Sequence, residues 1–161
     1  MTGAAARIEL IEVDDVIVGA LLGGGTTPLD LAVGFPRTED VQALQGFERG
    51  ALSFLIAVDG VVVGTCGTHG PPNADGVLEL GWGLVASARG RGVGTAAVTQ
   101  LLDRARRRYP TATIVAHTEW SDTGAGLLAD SAASESLLDG LGFVADPPPD
   151  APGYRAWRLA G

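Results

Sequence analysis

The chain has little of what several partner classes require. It carries one cysteine, Cys66, so no disulfide can form within it and the fold must rest on packing. A lone thiol fits a reducing compartment, and the cytoplasm is the expected location. Basic residues are few, 11 against 19 acidic, for a formal net charge of −8. A chain of that sign repels phosphate backbones and anionic headgroups. Neither nucleic acid nor membrane is therefore expected as a partner, whereas a cationic amine is compatible. No apolar run reaches bilayer-spanning length, and Met1–Ala6 lacks the apolar stretch of a secretory signal. Linkers, repeats and low-complexity segments are also absent. What remains is 161 residues, 46% of them apolar, enough for one packed domain over 1–161.

The most informative stretch runs from Leu78 to Tyr109. Val77–Val85 alternates with period two, placing Leu78, Leu80, Trp82 and Leu84 on one strand face and Glu79, Gly81, Gly83 and Val85 on the other. Glycines inside a strand mark a bulge or a close approach by a ligand or another backbone. The loop Arg89-Gly90-Arg91-Gly92-Val93-Gly94-Thr95 follows. Its glycines permit positive φ and leave no Cβ in the way of an anion, and two arginines add fixed charge. Val93, Ala97, Leu101, Ala105 and Tyr109 then recur at helical spacing until Pro110 stops the helix. The N–H groups and dipole of that helix, with the loop, form a cradle suited to pyrophosphate. The arginines 104 and 106–108 read as a solvated helix end.

The rest of the chain falls into order around this stretch. A first strand is expected over Arg7–Val13, and a helix over Val16–Leu22 capped by Asp14 or Asp15 and stopped by Gly23-Gly24-Gly25. Thr26–Pro36 reads as a loop over the core or a lid on an acceptor site. Thr38 and Asp40 open a second helix, Glu39–Arg49, ended by Gly50. Asp59-Gly60 marks a tight hairpin between strands Ala51–Val58 and Val61–Gly67. His69 reads as a turn residue beside Pro71-Pro72, and Cys66 as a small buried apolar group. Thr111–Thr118 is a strand followed by Glu119, Trp120 and an irregular loop, Ser121–Asp130. Ser131–Leu141 is a helix capped by Gly142, and Phe143–Ala145 and Gly153–Leu159 are strands flanking a proline-rich turn.

Two phosphate-binding classes are excluded. No Lys-Ser/Thr follows the loop, as a nucleotide-triphosphate P-loop requires, and Gly90-x-Gly92-x-Gly94 fails the G-x-G-x-x-G dinucleotide spacing at Thr95. Arg89-x-x-Gly92-x-Gly94 instead resembles the acetyl-coenzyme A loop of the GNAT superfamily of N-acetyltransferases, Gln/Arg-x-x-Gly-x-Gly/Ala. Ser131-Ala132-Ala133-Ser134 through Leu138, Leu141, Gly142 and Phe143 resembles the family's Asn-x-x-Ser-x-x-x-Leu-x-x-Leu-Gly-Phe segment. The likeness covers nearly the whole chain. It is nearest to the ribosomal-protein-alanine acetyltransferase-like (Rim-type) branch, with Gly67-Thr68-His69-Gly70-Pro71-Pro72 in support.

The resemblance implies an α/β (α+β) GNAT fold: a mixed, mostly antiparallel sheet of about seven strands with helices on both faces. It also implies that the Glu79 strand and the Thr111–Thr118 strand splay apart to admit pantetheine. The implied activity is transfer of an acetyl group from acetyl-CoA to a primary amine, either a small molecule or a protein N-terminus. The implied cofactor contacts are Leu84, Val85, Arg89, Gly90, Arg91, Gly92, Val93, Gly94, Thr95 and Ser131, with backbone N–H groups near Leu84 and Val85 facing the thioester. Glu79 is the implied general base, in a partly apolar cleft, with Glu119 as runner-up. Many family members carry Tyr where Leu138 stands, and Leu cannot donate a proton to the thiolate; Ser134 is the implied substitute. The motif's usual Asn is Ser131. No metal site is expected. Dimers are common in such folds, so a homodimer is a possible assembly. Two other readings stay open: an acyl-CoA-binding module without turnover, and a nucleotide-phosphate binder using the same cradle.

Overall fold

The computed structural model describes residues 3–46, 50–120 and 129–161. Its elements are β1 (Ile8–Glu12), α1 (Asp15–Leu22), β2 (Asp30–Leu31), α2 (Thr38–Gln45), β3 (Ser53–Val58), β4 (Val61–Thr68), β5 (Val77–Leu84), α3 (Val93–Arg108), β6 (Thr113–Trp120), α4 (Ala129–Gly140), β7 (Phe143–Ala145) and β8 (Gly153–Leu159). Seven strands form one sheet in the order β1-β3-β4-β5-β6-β8-β7, and β2 adds an eighth alongside β4. All pairs are antiparallel except β5 with β6 and β2 with β4. This is the expected mixed sheet of the GNAT fold.

Local chemistry accounts for most boundaries. Asp14 caps α1 by accepting a hydrogen bond from the Ile17 N–H at 2.8 Å. Asp59 and Gly60 take φ of 49° and 84°, the two left-handed residues that a primed hairpin turn requires. Gly142, at φ 88°, follows α4 as expected. The helix α2 ends earlier than its sequence pattern suggests, at Gln45 with Gly46 behind it; residues 47–49 lie outside the described ones. The β6 strand is displaced two residues toward the C-terminus, so Glu119 belongs to the strand and stands opposite Tyr154.

The expected loop Thr26–Pro36 contains β2. The β4–β5 ladder begins only at Gly64, which leaves the edge at Val61 and Val62 open, and Asp30 and Leu31 fill it. Phe35 is buried, while Leu29 and Ala32 pack against the core. This segment is tied down over the core.

The two faces of the sheet are covered differently. Val93, Ala97, Val98, Leu101, Leu102 and Ala105 form the buried stripe of α3 and meet Leu78, Leu80 and Leu84 of β5. On the opposite face, α2 reaches β4 and β5 through Arg37 and Asp40. Cys66 sits inside this core, and burial pushes its thiol up to about 12, against a small opposing effect of Arg104. The native protein should therefore leave Cys66 unmodified by a disulfide reagent at pH 8, with stoichiometric reaction appearing only in denaturant. Rapid labelling of the folded chain would contradict this burial.

Candidate active site

The cradle forms where β5 gives way to α3. Gly90 and Gly92 have φ of 72° and 76°, and a Cβ at either would meet nothing within 4 Å. Their glycine requirement is therefore conformational. Gly94 differs: it lies in the first turn of α3, and a Cβ there would come 3.2 Å from Leu137 Cδ1. It is small so that α4 can pack closely. The first intrahelical bond recorded runs from the Ala96 N–H to the Gly92 carbonyl, at 3.1 Å. The N–H groups of Val93, Gly94 and Thr95 precede it and emerge at the positive end of a 16-residue helix. A cavity of about 480 Å³ opens there, lined by Leu84, Arg89, Gly92, Thr95, Ser134 and Leu137, among others. Arg89 donates from Nε to the Leu84 carbonyl at 3.1 Å, which fixes its guanidinium at the rim.

One expected contact is corrected here. Arg91 is exposed beside the cradle. The Val85 N–H is committed to the Val63 carbonyl at 2.8 Å and so faces the sheet. In an antiparallel ladder successive residues point their N–H groups to opposite sides. That alternation turns the Leu84 N–H away from β4, as the Arg89 bond to the Leu84 carbonyl also requires. Leu84 remains suitably placed, as does Trp82 two residues earlier. Ser131 falls within α4, with its side chain outside the described ones.

The decisive feature is the parting of two strands. β5 pairs in parallel with β6 over four rungs, Val77–Leu80 against Thr113–Ala116. β5 nevertheless continues to Leu84 and β6 to Trp120, where β6 stays paired to β8. Beyond Leu80 and Ala116 the sheet is open. The resemblance implied this splay.

Glu79 and His117 stand at the lip of that opening. Glu79 Oε1 lies 2.9 Å from His117 Nδ1. Both side chains are about a third exposed, at 35% and 37%. They share a cavity of about 750 Å³ with His69, Trp82, Ser134 and Tyr154. Ser134 also lines the cradle cavity, so the two spaces meet beside it. Glu119, the runner-up, is exposed and lines neither. Leu138 is fully buried in the core, so the position where many relatives carry Tyr does not face the site.

A third cavity, about 490 Å³, lies between α2 and the sheet and shares Arg37, Trp82 and Gly83 with the cradle. Here the strand glycines find their reason. A Cβ on Gly83 would collide with the Arg37 guanidinium, and one on Gly81 would come 2.8 Å from His69 Nε2. Side chains from the start of α2 and from the turn after β4 approach that face. Arg37 donates to both carboxylate oxygens of Asp40 at 2.9 Å, and Thr65 Oγ1 donates to the same group at 2.7 Å. Asp40 has no exposed surface. Burial pushes its carboxyl up, but the bonds from Arg37 and Thr65, with the Arg37 charge, outweigh that and hold it below 3.8. Sequence reasoning missed both Arg37 and His117; the Gly81/Gly83 pair was the signal for the former.

A separate clamp sets α4. Glu135 accepts from Thr118 Oγ1 at 3.0 Å and pairs with Arg155 at 3.3 Å, while Arg155 sits over the rings of Trp120 and Trp157. The clamp joins α4 to β6 and β8 and so fixes Ser134 at the opening.

The acetyltransferase (GNAT) domain family model matches residues 27–143. No curated protein matches the chain in sequence. Among solved structures, an acetyltransferase from Agrobacterium tumefaciens is 19% identical with a TM-score of 0.61, covering 100% of this chain and 97% of its own. RimL, a ribosomal L7/L12 alpha-N-protein acetyltransferase solved in complex with coenzyme A, is 16% identical with a TM-score of 0.61, over 97% and 94%. A spermidine N-acetyltransferase SpeG chimera from Vibrio cholerae and hSSAT is 10% identical with a TM-score of 0.61, over 95% of each chain. At these identities the likeness is one of fold.

Two outcomes test the Arg37–Asp40 assembly. Asp40 binds its proton less readily folded than unfolded, so its stabilisation is present above 3.8 and is lost as pH falls below that value. Asp40→Ala should cost about 3 kcal/mol at neutral pH in urea melts, by removing the buried acceptor that Arg37 and Thr65 share, and the deficit should shrink as pH falls below 3.8. A pH-independent deficit would assign the loss to packing alone. Gly83→Ala should evict Arg37 and destabilise the fold by about 2 kcal/mol, the scale of overpacking a filled site; a neutral result would mean that Arg37 relocates freely.

Proposed function

We propose, since the chain belongs to the GNAT acetyltransferase family, that it transfers an acetyl group from acetyl-CoA to a primary amine by direct attack with general-base assistance. The observation that carries this reading is the opening between β5 and β6, which has a phosphate cradle on one side and an acid–base pair on the other.

The residues present suit an acyl-CoA. The N–H groups of Val93, Gly94 and Thr95 and the backbone of Gly90 and Gly92 would hold the pyrophosphate, with Arg89 at the rim supplying charge. Leu84, whose N–H turns into the opening, is suited to polarise the thioester carbonyl. Bound there, acetyl-CoA supplies an activated acyl carbon and a thiolate leaving group. Glu79 stands beside the same opening and assists loss of the amine proton. Ser134 reaches both cavities, and its hydroxyl is the group suited to steady the sulfur. The amine arrives from the side of Trp82 and His69, and the overall negative charge of the chain is compatible with a cationic acceptor.

Calorimetric titration should show micromolar binding of acetyl-CoA, displaced by coenzyme A and not by ATP. Glu79→Gln should lower turnover with a reactive amine by about 10²-fold, with acetyl-CoA affinity nearly unchanged. Tighter binding of ATP than of acetyl-CoA would overturn the reading in favour of a nucleotide binder, and acetyl-CoA binding without turnover in the wild type would leave a binding module.

A further inference from the structure

The sequence contains two histidines, His69 and His117, and the fold brings both to the cavity that holds Glu79. They arrive by different routes. His69, the first residue of the turn after β4, donates its backbone N–H to the Glu79 carbonyl at 2.9 Å, and its ring stands over Gly81. His117 comes from β6, one residue beyond the last rung that joins β6 to β5. On β6 it shares a face with Val115, the partner of Glu79, so its ring and the carboxylate project to the same side of the sheet. The Nδ1 to Oε1 distance of 2.9 Å is the result.

That contact fixes a tautomer. An ionised carboxylate can only accept, so the hydrogen between the two groups must belong to His117 Nδ1. In the neutral ring Nε2 then carries a lone pair and no hydrogen, which is the form that takes up a proton. Once Nε2 is protonated, the imidazolium rests against the Glu79 charge. The carboxylate thus orients the ring, while the imidazole makes the transfer.

We propose that His117 is the group that receives the amine proton and that Glu79 is its positioning residue. This deepens the acetyltransferase reading above and rests on it. The substrate ammonium gives one proton to His117 Nε2, which frees the nitrogen lone pair. That pair attacks the thioester carbonyl carbon, and a C–N bond forms. Collapse of the adduct breaks the C–S bond, and the sulfur leaves with the electron pair. The nitrogen loses its second proton, which completes the thiol, and His117 releases the first to water. One amide, one thiol and one proton result from one ammonium and one thioester.

The exposure of His117 permits a clean test, since truncating a surface ring leaves the core intact. His117→Ala should lower kcat by about 10²-fold with little change in the KM for acetyl-CoA, and added imidazole should restore kcat in a saturable way. A structural role for the ring would not give imidazole rescue. Imidazole nitrogen NMR on the free wild-type protein at pH 8 should show His117 protonated at Nδ1, with that preference lost in Glu79→Gln. Near wild-type kcat in His117→Ala, a loss that imidazole does not restore, or an Nε2-protonated His117 would each overturn the assignment. Failure of the wild-type protein to bind acetyl-CoA would instead overturn the wider reading and the catalytic assignment with it. The tautomer measurement distinguishes the two failures, because it needs no ligand.

Discussion

The structure depends on one constraint: β5 cannot stay paired along its whole length. Its β4 edge is bonded from Thr68 to Gly64, but its β6 edge is bonded only through Leu80. Backbone groups in a sheet interior need partners, and the groups of β5 beyond Leu80 that point toward β6 receive none from that strand. A strand that gives up half its ladder inside a sheet leaves an opening bordered by hydrogen-bonding groups. The fold supports this opening from both sides. The α3 stripe anchors the buried face of β5, and the β6–β8 ladder holds β6 in place as far as Trp120.

Keeping that opening in shape requires rigid neighbours, and two polar clamps provide them. Arg37 and Asp40, with Thr65, tie the start of α2 to β4 and lay a guanidinium across Gly83. Glu135, Arg155 and Thr118 tie α4 to β6 and β8. In both clamps a carboxylate accepts a hydrogen bond from a hydroxyl and faces a guanidinium. The Arg37–Asp40 pair is bidentate, which fixes orientation as well as distance. Asp40 is the more deeply enclosed, so its contacts must compensate for desolvation, and the lowered affinity for its proton shows that they do.

What could be read from the sequence was local. Asp59-Gly60 defined a hairpin because two left-handed residues have few alternatives, and the α3 stripe was legible because its period spans four turns. The cradle was legible for the same reason: its glycines, its arginines and the helix after them are neighbours in the chain. Readings that depended on a partner strand fared less well. Whether Leu84 or Val85 turns its N–H to the opening is set by the phase of the β4–β5 ladder, which a single strand does not contain. The glycine face of β5 signalled a close approach, yet the approaching groups, Arg37 and His69, come from 46 and 12 residues away. His117 had no local signal at all, since its meaning comes from the register that sets Glu79 against Val115.

That register also limits what the Glu79 position can do. Glu79 is one third exposed and in contact with an imidazole, in a cavity that also presents Leu80 and Trp82. The arrangement proposed above has the carboxylate hold the ring and the ring carry the proton. It needs two strands joined just far enough to align the pair and parted just beyond it, and β5 and β6 meet that requirement at Leu80 and Ala116.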